Sequence, residues 1–535
     1  MIMTPLEIKE TKYLIRTCTY GENKLFFRLW LFSVPSWLMV ILIVIALLLM
    51  YSIHKQRYFK RLEIPGPIPI PFLGHLHHII RKGFQETDME MTRIYGNCYG
   101  TFFGNIPQLI VTDPEMIKQM LVKQFSEFTD RPRTIRFTKF FDSAISVAQG
   151  EHWKFLRSTL SPTFSSNKMR NMTPLISKCL DSLIQNARTL SEASKSVEMR
   201  ELFGAFTMDA ICCTGFGLQV ESQTNPDDPF IKNAKKALNI SIGNVKFLLA
   251  AMFPELQTFI REIPILNQEA IDFFIQATKS ALADRREAQS ESYRDFLQLM
   301  INAHQEEGTD DDNGEEKYLG FDAYKKRGMT DAEVLANAII FFLAAFDTTS
   351  NLLTFASYCL ATNQDVQDRL RTEINKELGT SKPTYDNVFN LTYLDMTVNE
   401  TLRMYSPAQR LSRMAVLDTT LCGVKIPKGL DVSVSVQSLH YDTKYWENPQ
   451  KFDPERFSPE NKDRIHPFTF LPFGGGPRNC IGMRLALMET KMAIAALLQN
   501  FRILTSPETE IPPKIDKRRG VTRPLNGMYL RLEPL

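Results

Sequence analysis

The first long pattern in the chain is an uninterrupted apolar stretch near the N-terminus. No Lys, Arg, Asp or Glu lies between Arg28 and Lys55, and Trp37–Tyr51 is almost wholly apolar. A helix over residues 29–54 is long enough to cross a hydrocarbon core of about 30 Å. The stretch is too long for a cleaved signal peptide, and bulky residues rather than a small-residue cleavage site follow it. We therefore predict a transmembrane anchor over residues 29–54.

Helical periodicity dominates the chain beyond the anchor. It extends from Pro114 to about Leu402, and a last helix is predicted from about Gly482 to Gln499. Strand-like patterns are short: residues 99–112 predict a β-hairpin, and residues 411–440 contain alternating stretches such as VSVSV. The predicted fold class is α+β, predominantly helical with a small β portion.

One predicted helix, residues 330–363, has the length and apolar composition of a second membrane span. It begins with a capping box from Thr330 to Glu333, and Asp347 is its only charge after that turn. The polar residues that surround Asp347 in the sequence make a lipid environment costly. We therefore predict a buried helix of a large domain, in which an unpaired acid requires a function.

Charge separates the N-terminal segment from the rest of the chain. The 535 residues include 63 Lys+Arg and 60 Asp+Glu, and residues 1–61 hold nine bases and three acids, so the remainder carries 3 − 6 = −3. A body so close to neutral lacks the basic field of a nucleic-acid-binding protein, and we predict no nucleic-acid partner. Four bases follow the anchor and three precede it, which places the body in the cytosol and residues 1–28 in the lumen. Residues 55–75 are basic and then proline-rich, which predicts a semi-rigid hinge.

Cys480 lies in the most informative stretch, residues 470–486, FLPFGGGPRNCIGMRLA. Three glycines and a proline exclude regular structure there, and the cysteine directly precedes a predicted amphipathic helix. The helix dipole and free backbone N–H groups favour a thiolate at such a position. From the thiol alone, a nucleophile, a haem ligand and a structural cysteine all remain open. The eight cysteines form no C-x-x-C pair and are too sparse for a disulfide scaffold, which favours a reducing compartment.

The spacing Phe473-x-x-Gly476-x-Arg478-x-Cys480-x-Gly482 resembles the haem-thiolate signature of cytochromes P450. The resemblance implies the cytochrome P450 fold and a haem b cofactor (iron protoporphyrin IX), with Cys480 as the axial ligand of the iron. It also implies that Phe473 shields the sulfur and that Arg478 pairs with a haem propionate.

Three more residues acquire a haem-binding role from this resemblance. Trp153 and Arg157, in WKFLR, are four residues apart on a predicted helix, so that both side chains aim at one partner. On their own they are equally explained by a tryptophan packed beneath an arginine stem. The family places such a pair on a haem propionate, and Arg413, in RLSR, occupies a similar propionate-binding position.

The sequence from Ala344 to Thr349, AAFDTT, is similar to the oxygen-activating motif of the same family. In that motif the Thr hydroxyl contacts dioxygen on the iron and the adjacent acid relays protons, which assigns these catalytic roles to Thr348 and Asp347. Ala345 stands where the family usually has glycine, so a narrower oxygen groove is expected.

Glu400 and Arg403, in NETLR, are one helical turn apart and can form an ion pair. Taken alone, an ordinary surface pair explains them best. Together with Arg456 in FDPERF they resemble the Glu-Arg-Arg triad that locks the cytochrome P450 scaffold near the haem loop. The implied role is structural rather than catalytic.

The resemblance covers about residues 60–535, and local motifs such as YLDMTVNETLR and GPRNCIGMR are similar to the animal family-3 clan, which includes the 3A enzymes and thromboxane synthase. It implies a monooxygenase that inserts one atom of O2 into a steroid, fatty acid or foreign compound. The alternatives are an isomerase of the thromboxane-synthase kind, acting on an endoperoxide without NADPH, and a non-catalytic haem-binding membrane protein. The intact Asp347-Thr348 pair favours the monooxygenase, since an isomerase has no dioxygen to protonate.

The resemblance also implies the setting in which the enzyme works. Electrons are expected from NADPH through NADPH-cytochrome P450 reductase, with cytochrome b5 as a further partner, and the other partners are membrane lipid and a lipophilic small molecule. The expected location is the endoplasmic reticulum membrane, crossed once. Four parts are predicted: a lumenal segment (1–28), the anchor (29–54), the hinge (55–75) and a cytosolic haem-binding catalytic domain (76–535).

Overall fold

A computed structural model describes residues 35–132, 139–193, 196–225, 227–239, 244–255, 266–288, 295–303 and 320–535. The predicted lumenal segment, residues 1–28, and the first residues of the predicted anchor lie outside the described residues. The chain divides into two compact units, Met1–Tyr58 and Phe59–Leu535.

The described part of the first unit is helix α1 (Ser36–Gln56), whose apolar side chains are largely exposed. Among the described residues, two helices are long and apolar enough to cross a membrane: α1 and the helix Asp331–Thr362. The second of these is mostly buried inside the larger unit, which confirms the prediction of a core helix rather than a second span. Helix α1 is therefore the candidate anchor.

Helices make up most of the rest of the described chain. In chain order they are α2 (Tyr58–Arg61), α3 (Leu76–Tyr95), α4 (Pro114–Lys118), α5 (Gly150–Leu160), α6 (Ser166–Ala193), α7 (Met199–Phe216), α8 (Pro229–Ala237), α9 (Val245–Met252), α10 (Gln268–Ala288), α11 (Phe296–Ala303), α12 (Phe321–Arg327), α13 (Asp331–Thr362), α14 (Gln364–Glu377), α15 (Tyr385–Phe389), α16 (Thr392–Met404), α17 (Val436–His440) and α18 (Met483–Asn500). The last helix thus begins and ends one residue from the predicted bounds.

The β portion is small and consists of three sheets. Its strands are β1 (Cys98–Phe103), β2 (Ile106–Val111), β3 (Val197–Glu198), β4 (Arg410–Met414), β5 (Thr419–Leu421), β6 (Val424–Ile426), β7 (Asp431–Ser435), β8 (Phe501–Thr505) and β9 (Tyr529–Pro534). The largest sheet has the order β1-β2-β7-β4, with β2 and β7 parallel and the other pairs antiparallel. The second has the order β3-β9-β8, and β5 pairs with β6. The α+β prediction is confirmed, and so is the hairpin, since β1 and β2 pair across a turn at Gly104-Asn105.

Helix α13 lies at the centre of the larger unit and packs against α7, α10, α18 and β8. Its N-terminus carries the predicted capping box: the Glu333 backbone N–H donates to Thr330 Oγ1 at 3.2 Å, and the Thr330 N–H donates to Glu333 Oε2 at 2.8 Å. Stacked rings fix its first half, where Phe342 lies 3.8 Å from Phe216 of α7 between ring centroids. Because α13 is held on several sides, the residues on its remaining side are fixed relative to the core.

A buried polar network joins the largest sheet to α3. Arg410 on β4 donates to both carboxylate oxygens of Asp88 and, through Nη1, to Gln108 Oε1 at 3.0 Å. Gln108 in turn donates to Asp431 Oδ2 at 2.7 Å, and Ser433 donates to Asp431 Oδ1 at 3.0 Å. Burial raises the pKa of Asp431 to about 6, although the bonds from Gln108 and Ser433 oppose the rise.

The raised pKa of Asp431 predicts a loss of stability between about pH 4 and pH 6. The folded state holds the proton more tightly than the unfolded state, so stability is fully present below pH 4 and falls as the pH rises through 6, by about 3 kcal/mol. Asp431→Asn, which keeps an acceptor for Gln108, should unfold at higher urea concentration than the parent at pH 7, with the difference vanishing near pH 4. The exposed control Asp463→Asn should leave the curve unchanged. Equal stability of parent and Asp431→Asn at pH 7 would contradict the prediction.

Candidate functional site

The segment before Cys480 is a tight loop held by its own backbone. The Cys480 N–H donates to the Phe473 carbonyl at 2.8 Å, and the Asn479 N–H donates to the Gly476 carbonyl at 3.1 Å. Gly476 has a φ of +69°, and a Cβ there would lie 1.9 Å from the Leu121 carbonyl oxygen, so only glycine fits. The loop ends three residues before α18, as the sequence predicts.

Cys480 is a free, solvent-accessible thiol, and its surroundings shift its pKa in opposite directions. Partial desolvation raises its pKa, whereas a hydrogen bond from the Gly482 backbone N–H and the charges of Arg131 and Arg157 act in the opposite direction. The stabilisation of a thiolate that was expected from the N-terminus of α18 is therefore present. On balance, however, the neutral thiol is favoured over the thiolate. A cation bound to the sulfur would reverse that balance.

Three arginines lie at the cysteine loop: Arg157 and Arg131 come from other segments, and Arg478 belongs to the loop itself. On α5, Arg157 donates to the Asn479 carbonyl at 2.9 Å and to Asn479 Oδ1 at 2.7 Å. Arg131 donates to the Arg478 carbonyl at 3.5 Å, and Arg478 donates to the Ala148 carbonyl. The Arg478 guanidinium also lies 4.6 Å above the Trp153 ring, so that both members of the predicted pair on α5 turn to the same loop.

Arg413, on strand β4, is the fourth arginine near the cysteine loop. We call Arg131, Arg157, Arg413 and Arg478 the arginine set. It is buried, its Nη1 donates to the Ser412 carbonyl at 2.9 Å, and its Nε has no hydrogen-bond partner among the described residues. Burial and the charge of Arg131 lower the pKa of Arg413 to about 9. In the described part of the chain, no carboxylate forms an ion pair with Arg131, Arg157 or Arg413. Such a concentration of half-buried and buried cations fits an anionic group that approaches Cys480.

The donor set fits a haem. The propionates of a porphyrin are carboxylates that these arginines can bind, and the thiol of Cys480 can ligate iron. No group of three or more His, Cys, Asp or Glu suited to a metal occurs in the described ranges. The candidate set contains all six residues predicted for cofactor binding and adds Arg131.

Thr348 lies on the accessible side of α13. Although most of this helix is buried, Ile340, Ala344 and Thr348 retain access at a spacing of four residues, which is one face of the helix. The Thr348 hydroxyl donates to the Ala344 carbonyl at 2.7 Å. Ala345 is half-buried and packs against the main hydrophobic core. The narrower groove expected from Ala345 stays a prediction.

Asp347 is not an unpaired acid, and that expectation was wrong. Arg200 of α7 donates from Nη2 to Asp347 Oδ1 at 2.8 Å and from Nε to Asn351 Oδ1 at 3.3 Å. The pairing escapes a sequence pattern because Arg200 and Asp347 are 147 positions apart. Asp347 is buried and Arg200 is half-buried, so the ion pair connects the buried carboxylate to a side chain that reaches the surface.

The Glu400–Arg403 pair is fully buried, so the interpretation as a surface pair was wrong. Arg403 donates to both carboxylate oxygens of Glu400 at 2.8 Å, and Arg456 donates to Glu400 Oε1 at 3.3 Å. The three residues therefore form the triad that the family resemblance implied.

His440 connects this triad to the cysteine loop. Arg403 Nη1 donates to the His440 carbonyl at 2.8 Å, His440 Nδ1 lies 3.0 Å from the Arg403 carbonyl, and the Leu471 N–H donates to His440 Nε2 at 2.9 Å. Nε2 must accept and Nδ1 must donate, which fixes one neutral tautomer. Burial lowers the pKa of His440 to about 3, in agreement with a neutral ring.

Three residues of the site were not predicted from sequence: Arg131, Arg200 and His440. Arg131 directly precedes a proline in an irregular segment, and no periodicity singles it out. A lone histidine at the end of the apolar stretch VSVSVQSLH was a weak signal for His440, because a buried imidazole needs partners for both nitrogens.

Comparison with known proteins defines the class of this enzyme. Residues 64–531 match the family model described as Cytochrome P450, so the chain belongs to the cytochrome P450 family. It is an oxidoreductase of the monooxygenase type that uses haem with cysteine thiolate ligation and receives its electrons from a redox partner.

Its relatives lie in the 3A subfamily. The chain is 40% identical over 505 residues to Cytochrome P450 3A9 of Rattus norvegicus, which covers 94% of this chain and 97% of that protein. Cytochrome P450 3A13 of Mus musculus has the same identity and coverage. Cytochrome P450 3A7 of Homo sapiens is 41% identical over 487 residues, 90% of this chain and 93% of that protein.

Proposed function

We propose that this chain is a membrane-anchored monooxygenase that inserts one oxygen atom from O2 into a lipophilic substrate, with NADPH electrons delivered by NADPH-cytochrome P450 reductase. The observation that carries the proposal is the accessible Cys480 thiol close to Arg131, Arg157 and Arg413, none of which forms an ion pair with a carboxylate in the described part of the chain. Helix α1 anchors it in the endoplasmic reticulum membrane with the catalytic domain in the cytosol, where cytochrome b5 is a second electron donor.

The cysteine loop and the arginine set position the cofactor in this proposal. Cys480 would ligate the iron, Phe473 would shield the sulfur, and the arginine set would hold the propionates, with Trp153 beneath Arg478. The haem would supply the redox chemistry that combines electrons with O2. The chain itself would contribute orientation, an accessible cysteine sulfur and several cations.

Asp347 and Thr348 supply protons to this site. Thr348 is the hydroxyl on the open side of α13, and its bond to the Ala344 carbonyl holds it in one rotamer. Asp347 would relay protons to the site, and its ion-pair partner Arg200 reaches toward the surface. An acid relay of this kind lets the site admit protons without admitting bulk water.

Replacing Thr348 with alanine should uncouple electron use from oxygenation. Without the hydroxyl, the chain would no longer control proton delivery to the site, and reduced oxygen would leave as peroxide. We expect the product formed per NADPH to fall about tenfold while NADPH oxidation continues. The neighbouring buried hydroxyl provides the control, since Thr349→Ala should keep most of the coupling. Unchanged coupling in Thr348→Ala would count against a direct role in oxygen handling.

An exposed apolar surface supports a lipophilic substrate drawn from the membrane. Val245 and Leu249 on α9 are 68% and 49% exposed, and Ile68 in the proline-rich segment is 93% exposed. The two segments meet where Phe72 contacts Phe253, with ring centroids 5.4 Å apart. We call these residues the apolar surface; exposed apolar side chains of this kind are typical of contact with lipid.

Charging the apolar surface should release the catalytic unit from membranes once the anchor is removed. A chain lacking residues 1–58 should retain partial binding to neutral phospholipid vesicles through the apolar surface. Adding Val245→Glu and Leu249→Glu should abolish most of that binding in a flotation assay, because each burial of charge in the interface is costly. Leu417→Glu, at an exposed leucine outside the apolar surface, is the control and should not change flotation. Flotation that survives the double substitution would overturn the proposed contact.

The test of the proposed function is isotopic. The full chain in membranes with reductase receives NADPH, heavy O2 and a panel of steroids, fatty acids and endoperoxides, with mass-spectrometric detection. Heavy oxygen in an NADPH-dependent product is expected, and its mass identifies the substrate class. A rearranged, unlabelled product made without NADPH would show the isomerase instead, and no product at all under haem-replete conditions would favour the non-catalytic alternative.

A further inference from the structure

Two cysteines from neighbouring helices lie in contact in the interior, away from the cysteine loop. Cys179 on α6 and Cys213 on α7 have their sulfur atoms 3.5 Å apart. Cys179 is buried, and Cys213 is half-buried, which leaves the second sulfur some access to small solutes. Neither residue has a role in the haem site, so their juxtaposition needs another explanation.

A buried carboxyl group faces the same pair. Glu489 on α18 is 1% exposed, and its Oε1 has no hydrogen-bond partner among the described residues. Electrostatic interactions link it to both Cys213 and Cys179. A buried carboxyl oxygen without a partner costs stability, so its retention beside two thiols indicates a use in their chemistry.

We propose that Cys179, Cys213 and Glu489 form a peroxide-responsive thiol pair, which hydrogen peroxide converts into a Cys179–Cys213 disulfide linking α6 to α7. The proposal is independent of the haem chemistry and requires only that hydrogen peroxide reach Cys213. Transient disulfides of this kind are the usual ones in reducing compartments.

The reaction balances with one peroxide. The Cys213 thiol loses its proton, the thiolate attacks one peroxide oxygen, and the O–O bond breaks, leaving Cys213 as a sulfenic acid. Burial raises the pKa of Glu489 to about 8, so its carboxyl is protonated at neutral pH and gives its proton to the departing hydroxide; the proton lost by Cys213 then restores Glu489. Cys179 then attacks the Cys213 sulfur, the S–O bond breaks, and the disulfide forms. The two thiol protons convert both oxygens to water, so two thiols lose two electrons and one peroxide gains them.

The geometry assigns the order of attack. Either sulfur can donate the hydrogen bond that joins the two thiols, so the order follows from access. Cys213 is the more accessible sulfur, so it reacts first and Cys179 resolves the sulfenic acid. A disulfide bond is about 2.05 Å long, so the sulfurs must approach by about 1.5 Å, a movement within reach of side-chain rotation and a small helix shift.

The experiment treats the purified haem-loaded full chain with hydrogen peroxide, alkylates the remaining thiols and maps the peptides by mass spectrometry. The expected result is a cross-linked Cys179–Cys213 peptide that dithiothreitol reverses. Cys213→Ser should abolish it, whereas Cys212→Ala, at the adjacent buried cysteine, should preserve it. A chain in which exposed Cys422 is oxidised while Cys179 and Cys213 both remain alkylatable would overturn the proposal, and so would a disulfide to Cys212.

Glu489 has its own readout. Glu489→Gln keeps the size of the side chain but removes the acidic proton that the leaving hydroxide would take, so the rate of disulfide formation should fall about tenfold at neutral pH. The thermal midpoint and haem content of this variant report whether the fold is intact. An unchanged rate in a folded Glu489→Gln protein would overturn the role assigned to the carboxyl group.

Discussion

Replacing Cys480 with serine is expected to abolish the thiolate-type absorption band of the reduced, carbon monoxide-bound protein, together with monooxygenase activity. Cys480 is the one cysteine within residues 470–486, and the positive charges of Arg131 and Arg157 favour its anionic form. A serine hydroxyl ionises far above the pH at which a thiol does and is a poor donor of electron density to iron. The loop itself should persist, because its hydrogen bonds use backbone atoms.

The measurement is the carbon monoxide difference spectrum, combined with the haem content per chain. Cys422→Ser, at an exposed cysteine, is the matched control and should retain the spectrum. If the thiolate band persisted in Cys480→Ser, the iron ligand would have to be another cysteine, and the position of the arginine set would be unexplained.

Removing the Glu400 carboxylate is expected to produce the largest loss of stability of any single ion-pair variant proposed for this chain. Glu400→Ala leaves the fully buried guanidinium of Arg403 without its charge partner and also removes an acceptor from Arg456. Breaking a buried pair from one side typically costs about 3–5 kcal/mol, because an uncompensated charge stays inside the protein.

The Glu400→Ala variant should lose haem as well as stability. Arg403 positions His440, which binds the Leu471 N–H at the start of the cysteine loop, so disorder at the triad reaches the cofactor site through two hydrogen bonds. The unfolding midpoint and haem content are measured together. Asp386→Ala, which removes an exposed ion pair with Arg170, should cost less than about 1 kcal/mol and leave haem bound. Similar losses of stability and haem in Glu400→Ala and Asp386→Ala would contradict the predicted role of the triad in supporting the haem site.

Local chemistry in the sequence predicted those parts of the molecule that form between near neighbours in the chain. The β1–β2 hairpin, the capping box of α13 and the start of α18 each depend on a few adjacent residues, and each was predicted correctly. The position of Asp347 on a core helix also followed from composition, since lipid and a polar cluster are incompatible.

Long-range pairing accounts for what the sequence did not predict. Arg200 meets Asp347, and His440 meets Leu471, only because separate helices and loops pack together. Glu400 and Arg403 have the same spacing in a surface pair and in a buried triad. Only their burial in the folded chain distinguishes the two interpretations. The arginine set draws on α5, β4 and two loops. The family resemblance supplied Arg157, Arg413 and Arg478, whereas Arg131, which no motif marks, was not predicted.

The buried arginines near Cys480 also affect how the protein accumulates in a cell. Arg413 and Arg131 repel each other, and neither has a carboxylate partner among the described residues, so the chain without its cofactor carries uncompensated positive charge in its interior. Haem is then a counter-ion that completes folding as well as a reagent, and binding it shifts the folding equilibrium by mass action. A shortage of haem should therefore lower the abundance of the protein by exposing it to degradation, rather than leave a stock of stable, inactive enzyme.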